Sequence, residues 1–310
     1  TLLNTIEEAI ESIKRGEIII VVDDENRENE GDFVAAAEVI TPEKINFMAT
    51  HGRGLICTPL TEKKCRKLKL DRMVSSTSDP METAFTVSVD YRGKEITTGI
   101  SASDRSKTIR AMIDKKTRAI DLTRPGHVFP LTARDGGTLV RAGHTEASVD
   151  ISKLSGLVPG GVICEIMKDD GTMARLPDLI DFAKKHGLKI ATIADLIEYR
   201  LRNDRIVKPS FTSKINTMGG GEFKSIVFLN QADNSEHMAL IKGNISGNFP
   251  ILVRMHSFNM FDDIYSAEKT LELHRAMEII DAEGCGALVM LRNPSASFIS
   301  DQLKLKNEEL

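Results

Sequence analysis

Near the N-terminus, the ten residues Asp23-Asp24-Glu25-Asn26-Arg27-Glu28-Asn29-Glu30-Gly31-Asp32 carry six carboxylates and a single cation. They lie between two apolar runs, 17–22 and 33–39. The first run is rich in β-branched residues and reads as a strand buried on both faces. Charge density alone would describe a solvated loop. Three details argue for more. The flanking strands keep the run near the core. Arg27 among the acids suits an internal ion pair or a phosphate or hydroxyl contact. Gly31 permits a tight backbone turn between acidic positions. Clustered carboxylates at a strand end suit a hard divalent cation such as Mg²⁺.

Around this loop, strand and helix signals interleave. Ile6, Ala9, Ile10 and Ile13 recur at helical spacing behind a cap at Asn4 or Thr5. Thr41-Pro42-Glu43 opens a helix running to Gly52, and Thr61 caps a basic helix to about Leu70. Further helices are expected over 103–116, from Pro177 to Gly187, and over 194–201. Strands are expected at 55–58, 85–89, 139–142, 162–167 and 188–193. This alternation predicts a layered α/β or α+β domain. Residues 203–210 read as a linker. Beyond it come strands at 223–229, 238–242, 251–255 and 287–291, a helix over 266–282, and a polar, frayed end at 301–310. The 310 residues suit two domains, 1–202 and 211–310.

Composition excludes several partners. Net charge is −4 with no Trp and 5% aromatics, which disfavours nucleic-acid binding. No apolar run approaches the roughly 18 residues that span a bilayer, so no membrane partner is expected. Glu7, Glu8 and Glu11 occupy a start that lacks the apolar core of a signal peptide. Cys57, Cys65, Cys164 and Cys285 are too few and scattered for a disulfide scaffold, so a cytoplasmic, reducing location is expected.

Three further motifs hold reactive residue types. In Arg141-Ala142-Gly143-His144-Thr145-Glu146, Arg141 and Thr145 suit a phosphate, Gly143 allows close backbone approach, and His144 suits a metal or a proton. Read alone, this is equally a structural or solvated loop. His127 in Gly126-His127-Val128-Phe129-Pro130 reads alone as a satisfied, half-buried histidine. Glu165, within the apolar strand Gly161-Val162-Ile163-Cys164-Glu165-Ile166-Met167, is the strongest single signal. A carboxylate there is costly unless paired or functional. Desolvation would raise its pKa, unless an adjacent metal keeps it charged.

Together these motifs, with Arg-Gly-Leu-Ile-Cys at 53–57, Thr-Thr-Gly-Ile-Ser-Ala at 97–102 and Arg-Pro-Gly-His-Val-Phe-Pro-Leu at 124–131, resemble 3,4-dihydroxy-2-butanone 4-phosphate synthase over about 1–202. The resemblance implies an α+β, three-layer α/β/α domain with a mixed sheet, in a homodimer with sites near the subunit interface. It implies Mg²⁺-dependent conversion of ribulose 5-phosphate to L-3,4-dihydroxy-2-butanone 4-phosphate and formate, a lyase step of riboflavin biosynthesis. Mn²⁺ is expected to substitute, because a His ligand is softer than Mg²⁺ prefers. Carried over by position, Glu28 and His144 match metal ligands. Arg27, Glu28, Asp32, Thr98, Arg141, Ala142, Gly143, His144 and Thr145 match the substrate-contacting group. His127 and Glu165 match residues essential for catalysis, with Glu30, Asp32 and Cys57 counted beside them.

Residues 211–310 resemble the start of GTP cyclohydrolase II, through Ser235-Glu236-His237-Met238-Ala239-Leu240, Val253-Arg254-Met255-His256-Ser257 and the strand ending at Arg292. That family follows its Arg-x-His-Ser with three zinc-binding Cys. Here Phe258-Asn259-Met260 and 268–273 hold none, and Asn293-Pro294-Ser295-Ala296-Ser297 replaces a Gly- and Arg-rich catalytic stretch. Cys285 is a single thiol, and the spacings of His237, His256 and His274 match no zinc pattern. The expectation is a smaller α/β domain, degenerate and truncated, without zinc and without cyclohydrolase activity.

Overall fold

The computed structural model describes residues 3–292, apart from 77, 233, 248, 260–262 and 264–266. The expected frayed end at 301–310, the replacement stretch 293–297 and Met260 lie outside the described residues. The chain divides into two compact units, Thr1–Asp204 and Arg205–Leu310.

In the first unit the order is α1 (Ile6–Lys14), β1 (Ile19–Val22), β2 (Gly31–Ala36), α2 (Pro42–His51), β3 (Cys57–Thr61), α3 (Glu62–Leu68), β4 (Val89–Tyr91), α4 (Ala102–Ile113), β5 (Leu122–Ala133), α5 (His144–Leu154), β6 (Gly161–Glu165), α6 (Leu176–His186), β7 (Lys189–Thr192) and α7 (Ile193–Asn203). The seven strands form one sheet in the order β4-β5-β3-β6-β2-β1-β7. It is mixed: β1–β7 and β3–β5 pair parallel, and the other pairs are antiparallel.

Every residue of β1 and β2 is buried, because helices cover both faces. Alternate side chains divide between two cores. Ile20, Val22, Phe33 and Ala35 pack with α2, α3, α4 and α6. Ile19, Val21, Val34 and Ala36 pack with α1, α5 and α7. The strand period of two therefore builds the three-layer α/β/α arrangement directly. Caps act where the sequence places them, with Thr5, Thr41 and Thr61 each accepting a backbone N–H at its helix start.

Several elements differ from the sequence reading, among them β4, expected at 85–89 and found at Val89–Tyr91. The strand expected at 139–142 is instead the exit from a 3₁₀ turn, Gly137–Leu139. Directly after it runs α5, whose residues from His144 to Ser152 are all buried. Its polar composition hides it, since a helix buried all round has no apolar stripe. Its hydroxyls are satisfied internally: Ser148 Oγ donates to the Thr145 carbonyl and Ser152 Oγ to that of Ser148. β5 was also unexpected, because Pro125, Gly126 and Pro130 punctuate it.

The second unit consists of β8 (Val207–Thr217), β9 (Gly221–Asn230), β10 (Glu236–Lys242), β11 (Leu252–Ser257), α8 (Ala267–Glu283) and β12 (Gly286–Leu291). Its sheet runs β11-β12-β10-β9-β8, with a small core of Phe223, Leu240, Met277, Ile280 and Leu288. β8 begins inside the stretch read as a linker. The nearly complete exposure of β8 explains why no hydrophobic alternation announces it.

α5 is tied to α7 by a buried ion pair. Asp150 Oδ2 accepts from Arg200 Nη1 at 2.8 Å, and from the Thr138 N–H and Oγ1 at 2.8 and 2.7 Å. Arg200 also donates to Asp204 Oδ2 at 2.8 Å, so removing Asp150 leaves the cation paired but strips the buried Thr138 N–H and hydroxyl of their acceptor. Asp150→Ala is expected to destabilise the first unit by about 1–3 kcal/mol, read from its urea midpoint.

Candidate active site

The hairpin β1–β2 is in register from Ile19↔Val34 to Val22↔Gly31, so the acidic run closes it as a loop. Asp23 organises that loop. Its Oδ1 accepts the Glu30 N–H at 2.8 Å, and its Oδ2 accepts the Glu28 N–H at 3.1 Å and Arg27 Nη1 at 2.9 Å. Arg27 Nη1 also donates to Glu28 Oε2 at 2.6 Å. From the N-cap of α6, Arg175 Nη1 donates to the Glu28 carbonyl at 3.1 Å and to that of Asn29. The loop is thereby folded inward.

Sheet register brings the other carboxylates beside it. Asp32 is the cross-strand partner of Glu165, and Cys57 faces Ile163. Glu165 is the last residue of β6 and is only half-buried, so it opens into a cavity at the end of the sheet. The N–H of Leu55 donates to Glu165 Oε2 at 2.8 Å. A Cβ at residue 54 would lie 2.5 Å from that same oxygen, which explains the glycine in Arg53-Gly54-Leu55.

From the opposite side, α5 presents its N-terminus. His144 is buried, and its Nε2 meets the Val21 carbonyl at 3.1 Å. That contact assigns the Nε2 proton and leaves Nδ1 facing Glu28 Oε2 at 3.7 Å and Asp32 Oδ1 at 3.9 Å. Asp32 Oδ1 is buried without any hydrogen-bond partner. Asp23, Glu28 and His144 are the group with metal-ligating spacing among the described residues, with ligand atoms within 4.8 Å of one another. Both Asp23 oxygens are engaged in holding the loop. Glu28 and His144, with the unpartnered oxygen of Asp32 beside them, therefore form the donor set that fits a hard divalent cation.

The crowding of charge sorts the proton affinities. Burial pushes Asp32 up to about 7, helped by Glu165, Glu28 and Glu30 and opposed by His144. Burial and the charges of Glu28 and Glu165 also raise Glu30. The contact with His144, and then Arg27, hold Glu28 below the usual carboxylate range despite its burial. Burial works against a charged His144, yet Asp32, Glu28 and Asp23 together push it up to about 9.

At the mouth of α5, two guanidinium groups converge on Gly143, which has no side-chain cap. A Cβ there would overlap Arg141 Nη1 and lie 3.0 Å from Arg27 Nη2. Arg141 is fixed by Glu146 Oε2 at 2.7 Å and the Met81 carbonyl at 2.9 Å. Two cations at an uncapped helix N-terminus can hold a phosphate.

The resulting cavity, about 80 Å³, is lined by Arg27, Glu28, Glu30, Asp32, Cys57, Arg141, His144, Thr145 and Glu165, with Thr83, Phe85, Leu131 and Ile163. Thr98, His127, Ala142 and Gly143 are not on its walls. His127 belongs to a second cluster with Asp90 and Gly99, and the exposed Thr98 precedes Gly99 in the chain. Sequence reasoning missed Asp23, Arg175, Thr83 and the Leu55 N–H as parts of the site. For the last no side-chain signal exists, because the donor is backbone.

Comparison with known proteins gives a consistent result. The family described as 3,4-dihydroxy-2-butanone 4-phosphate synthase matches residues 7–199, and that described as GTP cyclohydrolase II matches 208–309. Riboflavin biosynthesis protein RibBA of Cytophaga hutchinsonii is 52% identical over 292 residues, covering 93% of this chain and 72% of that protein. RibBA of Aquifex aeolicus is 50% identical, covering 99% and 76%. Among solved structures, RibBX, a two-domain 3,4-dihydroxy-2-butanone 4-phosphate synthase from A. baumannii, superposes with TM-score 0.77 at 41% identity, covering 93% of this chain and 81% of that one. A 3,4-dihydroxy-2-butanone 4-phosphate synthase in complex with two magnesium ions gives 0.63 at 41% identity, covering 65% and 99%.

The Cys57 thiol is pushed far above its ordinary range by burial and by Glu165 and Asp32, and Cys164 by the same causes up to about 12. Cys57 therefore lines the cavity as a neutral thiol. Of the four Cys, only Cys285 is not buried. Native protein is expected to release one equivalent of chromophore from a soluble aromatic disulfide at pH 8, and four in denaturant. Rapid labelling of Cys57 in the native state would contradict this assignment.

Proposed function

The chain belongs to the 3,4-dihydroxy-2-butanone 4-phosphate synthase family, a lyase of riboflavin biosynthesis fused to a GTP cyclohydrolase II domain, and from that membership we propose that the acidic cavity converts ribulose 5-phosphate to L-3,4-dihydroxy-2-butanone 4-phosphate and formate with a divalent cation. The observation that carries this reading is the buried, unpartnered Asp32 Oδ1 beside His144 Nδ1 and Glu28. A proton on His144 answers that charge, and a cation binding between Glu28 and His144 would take the proton's place.

Glu28 and His144 would hold the cation, Mg²⁺ or in its place Mn²⁺. Bound there, it would supply Lewis-acid stabilisation of negative charge on the substrate's oxygens. The chain's own residues account for the rest. Arg27, Arg141 and Thr145 at the start of α5 bind the phosphate, so that remote binding energy aligns the reacting carbons. Asp32 near 7, Glu30 raised and Glu28 lowered give carboxyls of graded proton affinity in one cavity. Such a set can both take and return the protons of enolisation, dehydration and carbon-skeleton rearrangement. Glu165, held by the Leu55 N–H, is aimed at the same space.

His127 and Thr98 lie off the cavity walls, and the His127 side chain is 43% exposed. Their placement supports a homodimer in which a second copy brings them to the site. The three buried, unpaired thiols support a cytoplasmic location.

Purified protein is expected to release formate from ribulose 5-phosphate with Mg²⁺ or Mn²⁺. Glu165→Gln and His144→Ala should each lower the rate by about 100-fold or more. Wild-type rates from either variant would overturn the assignment. Mixing and reassociating His127→Ala with Glu165→Gln protein should restore about a quarter of the wild-type rate if sites are shared across a dimer, and none if each chain is self-contained.

The second unit is proposed to lack GTP cyclohydrolase II activity. The family match over 208–309 favours the opposite reading, but zinc chemistry needs thiolates that this region does not offer. Its one thiol, Cys285, contacts the Asn244 carbonyl at 3.2 Å in a glycine turn. His256 Nε2 is engaged by Asp263 at 2.9 Å, and His237 by Ser235 and the Arg292 N–H. Elemental analysis should find no stoichiometric zinc, and incubation with GTP should yield no formate. Clear GTP turnover would reverse this conclusion.

A further inference from the structure

On the face of the sheet away from the acidic cavity, two helices end in the same pair of rings. α2 carries Phe47 and His51, and α6 carries Phe182 and His186, each pair at i, i+4 so that the rings are neighbours on one helix face. The Phe47 and His51 centroids are 4.6 Å apart, and Phe182 and His186 are stacked at 4.2 Å. The two ladders meet. Phe47 and Phe182 both rest on the fully buried Phe33, at 5.4 and 5.6 Å, and the two imidazoles lie 4.9 Å apart.

Imidazoles that only cover apolar rings have no use for their nitrogens. Among the described residues, the ring nitrogens of His51 and His186 have no hydrogen-bond partner. Burial, with the neighbouring charges of His51 and Lys185, lowers the proton affinity of His186, so this ring stays neutral and offers one donor and one acceptor. Both imidazoles and Phe182 line a cavity of about 260 Å³, and Ile166, Met167 and Ala174, from the turn after β6, complete its apolar lining. It shares no residue with the acidic cavity. Ile166, Ala174 and Phe182 belong to the core beneath α2 and α6, whereas Cys57, Leu131 and Ile163 of the acidic cavity belong to the other.

The rim is cationic. Arg53 is occupied by Asp169 at 2.6 Å and by the Met167 carbonyl at 3.0 Å, and Asp178 accepts the Arg175 N–H at the start of α6. The ammonium groups of Lys168 and Lys185 on the same rim have no ion pair among the described residues.

We propose that this cavity is a second ligand site, which takes a one- or two-ring heteroaromatic carrying a phosphate. An aromatic wall holds a flat π-system by stacking. Unpartnered ring nitrogens read the polar edge of that system, and unpaired lysines meet an anion. The volume falls just below the roughly 300–1,000 Å³ of pockets that enclose drug-sized ligands. It suits the base of a mononucleotide, with the phosphate left at the rim. A sugar phosphate lacks the ring, and a nucleoside lacks the charge.

Equilibrium dialysis of the full chain against adenosine and uridine 5′-monophosphate tests this site. At least one of the two should bind saturably, with Kd on the order of 10–100 µM. Its nucleoside alone and inorganic phosphate alone should each bind about tenfold or more weakly. Excess ribulose 5-phosphate should not displace it. Replacing the two exposed lysines together, Lys168→Ala with Lys185→Ala, should weaken binding by about tenfold. His186→Phe, which keeps a ring on Phe182 and removes the nitrogens, should weaken it by about fivefold or more. No saturable binding of either nucleotide below about 1 mM overturns the proposal. So does phosphate or nucleoside binding as tightly as the nucleotide, displacement by ribulose 5-phosphate, or wild-type affinity in either variant. The wild-type comparisons decide the matter without recourse to any variant.

Discussion

The site depends first on one buried carboxylate whose two oxygens are both engaged in holding a loop. Asp23 is wholly covered and accepts from two backbone N–H groups and from Arg27. A loop with five other carboxylates would otherwise splay into water, where like charges separate at little cost. By gathering the amides of Glu28 and Glu30, Asp23 reverses the chain within the hairpin and turns those side chains inward. Arg175 clasps the same loop from outside through its carbonyls. The site is thus made by backbone capture first and by side-chain charge second.

That capture creates the electrostatic conflict from which function follows. Glu28, Glu30, Asp32 and Glu165 converge on one cavity, opposed by Arg27, Arg141 and His144. The response is graded. Asp32, deepest in the nest, climbs to about 7, while Glu28, nearest the cations, falls. Burying α5 on every side is the structural condition for this. With residues 144–152 of α5 all buried, His144 reaches the β1 backbone while Thr145 lines the cavity. The Asp150–Arg200 pair holds the far half of that helix, so the two ends of α5 serve separate purposes.

Much of the fold was legible because it obeys simple periods. β1, α2, α3, α6 and β7 appear where strand runs, caps and a terminal glycine place them. What was hidden follows from specific physics. α5 has no hydrophobic stripe, since its buried polar groups are paid for by hydrogen bonds rather than by apolar contacts. β5 tolerates two prolines and a bulge, and β8 is exposed along nearly its full length. At the site, the acidic run and Glu165 stood out as charges in the wrong place. Yet Glu165 proved to be a strand terminus, and the strongly desolvated carboxyl is its neighbour across the sheet, Asp32. Sequence spacing cannot anticipate that exchange, because register decides it.

The separation of the candidate residues into two clusters carries the same logic to a larger scale. The cavity cluster is charged, enclosed and organised by the ends of β1, β2, β3 and β6. The His127 cluster lies on β5 and the 97–104 turn, is organised by Asp90 and Asp104, and leaves its ring exposed. Each is held by a carboxylate whose two oxygens are both engaged within the cluster, Asp23 in the first and Asp90 in the second. Two clusters braced by separate carboxylates keep their geometry independently, so the direction of the His127 ring is set within its own part of the sheet.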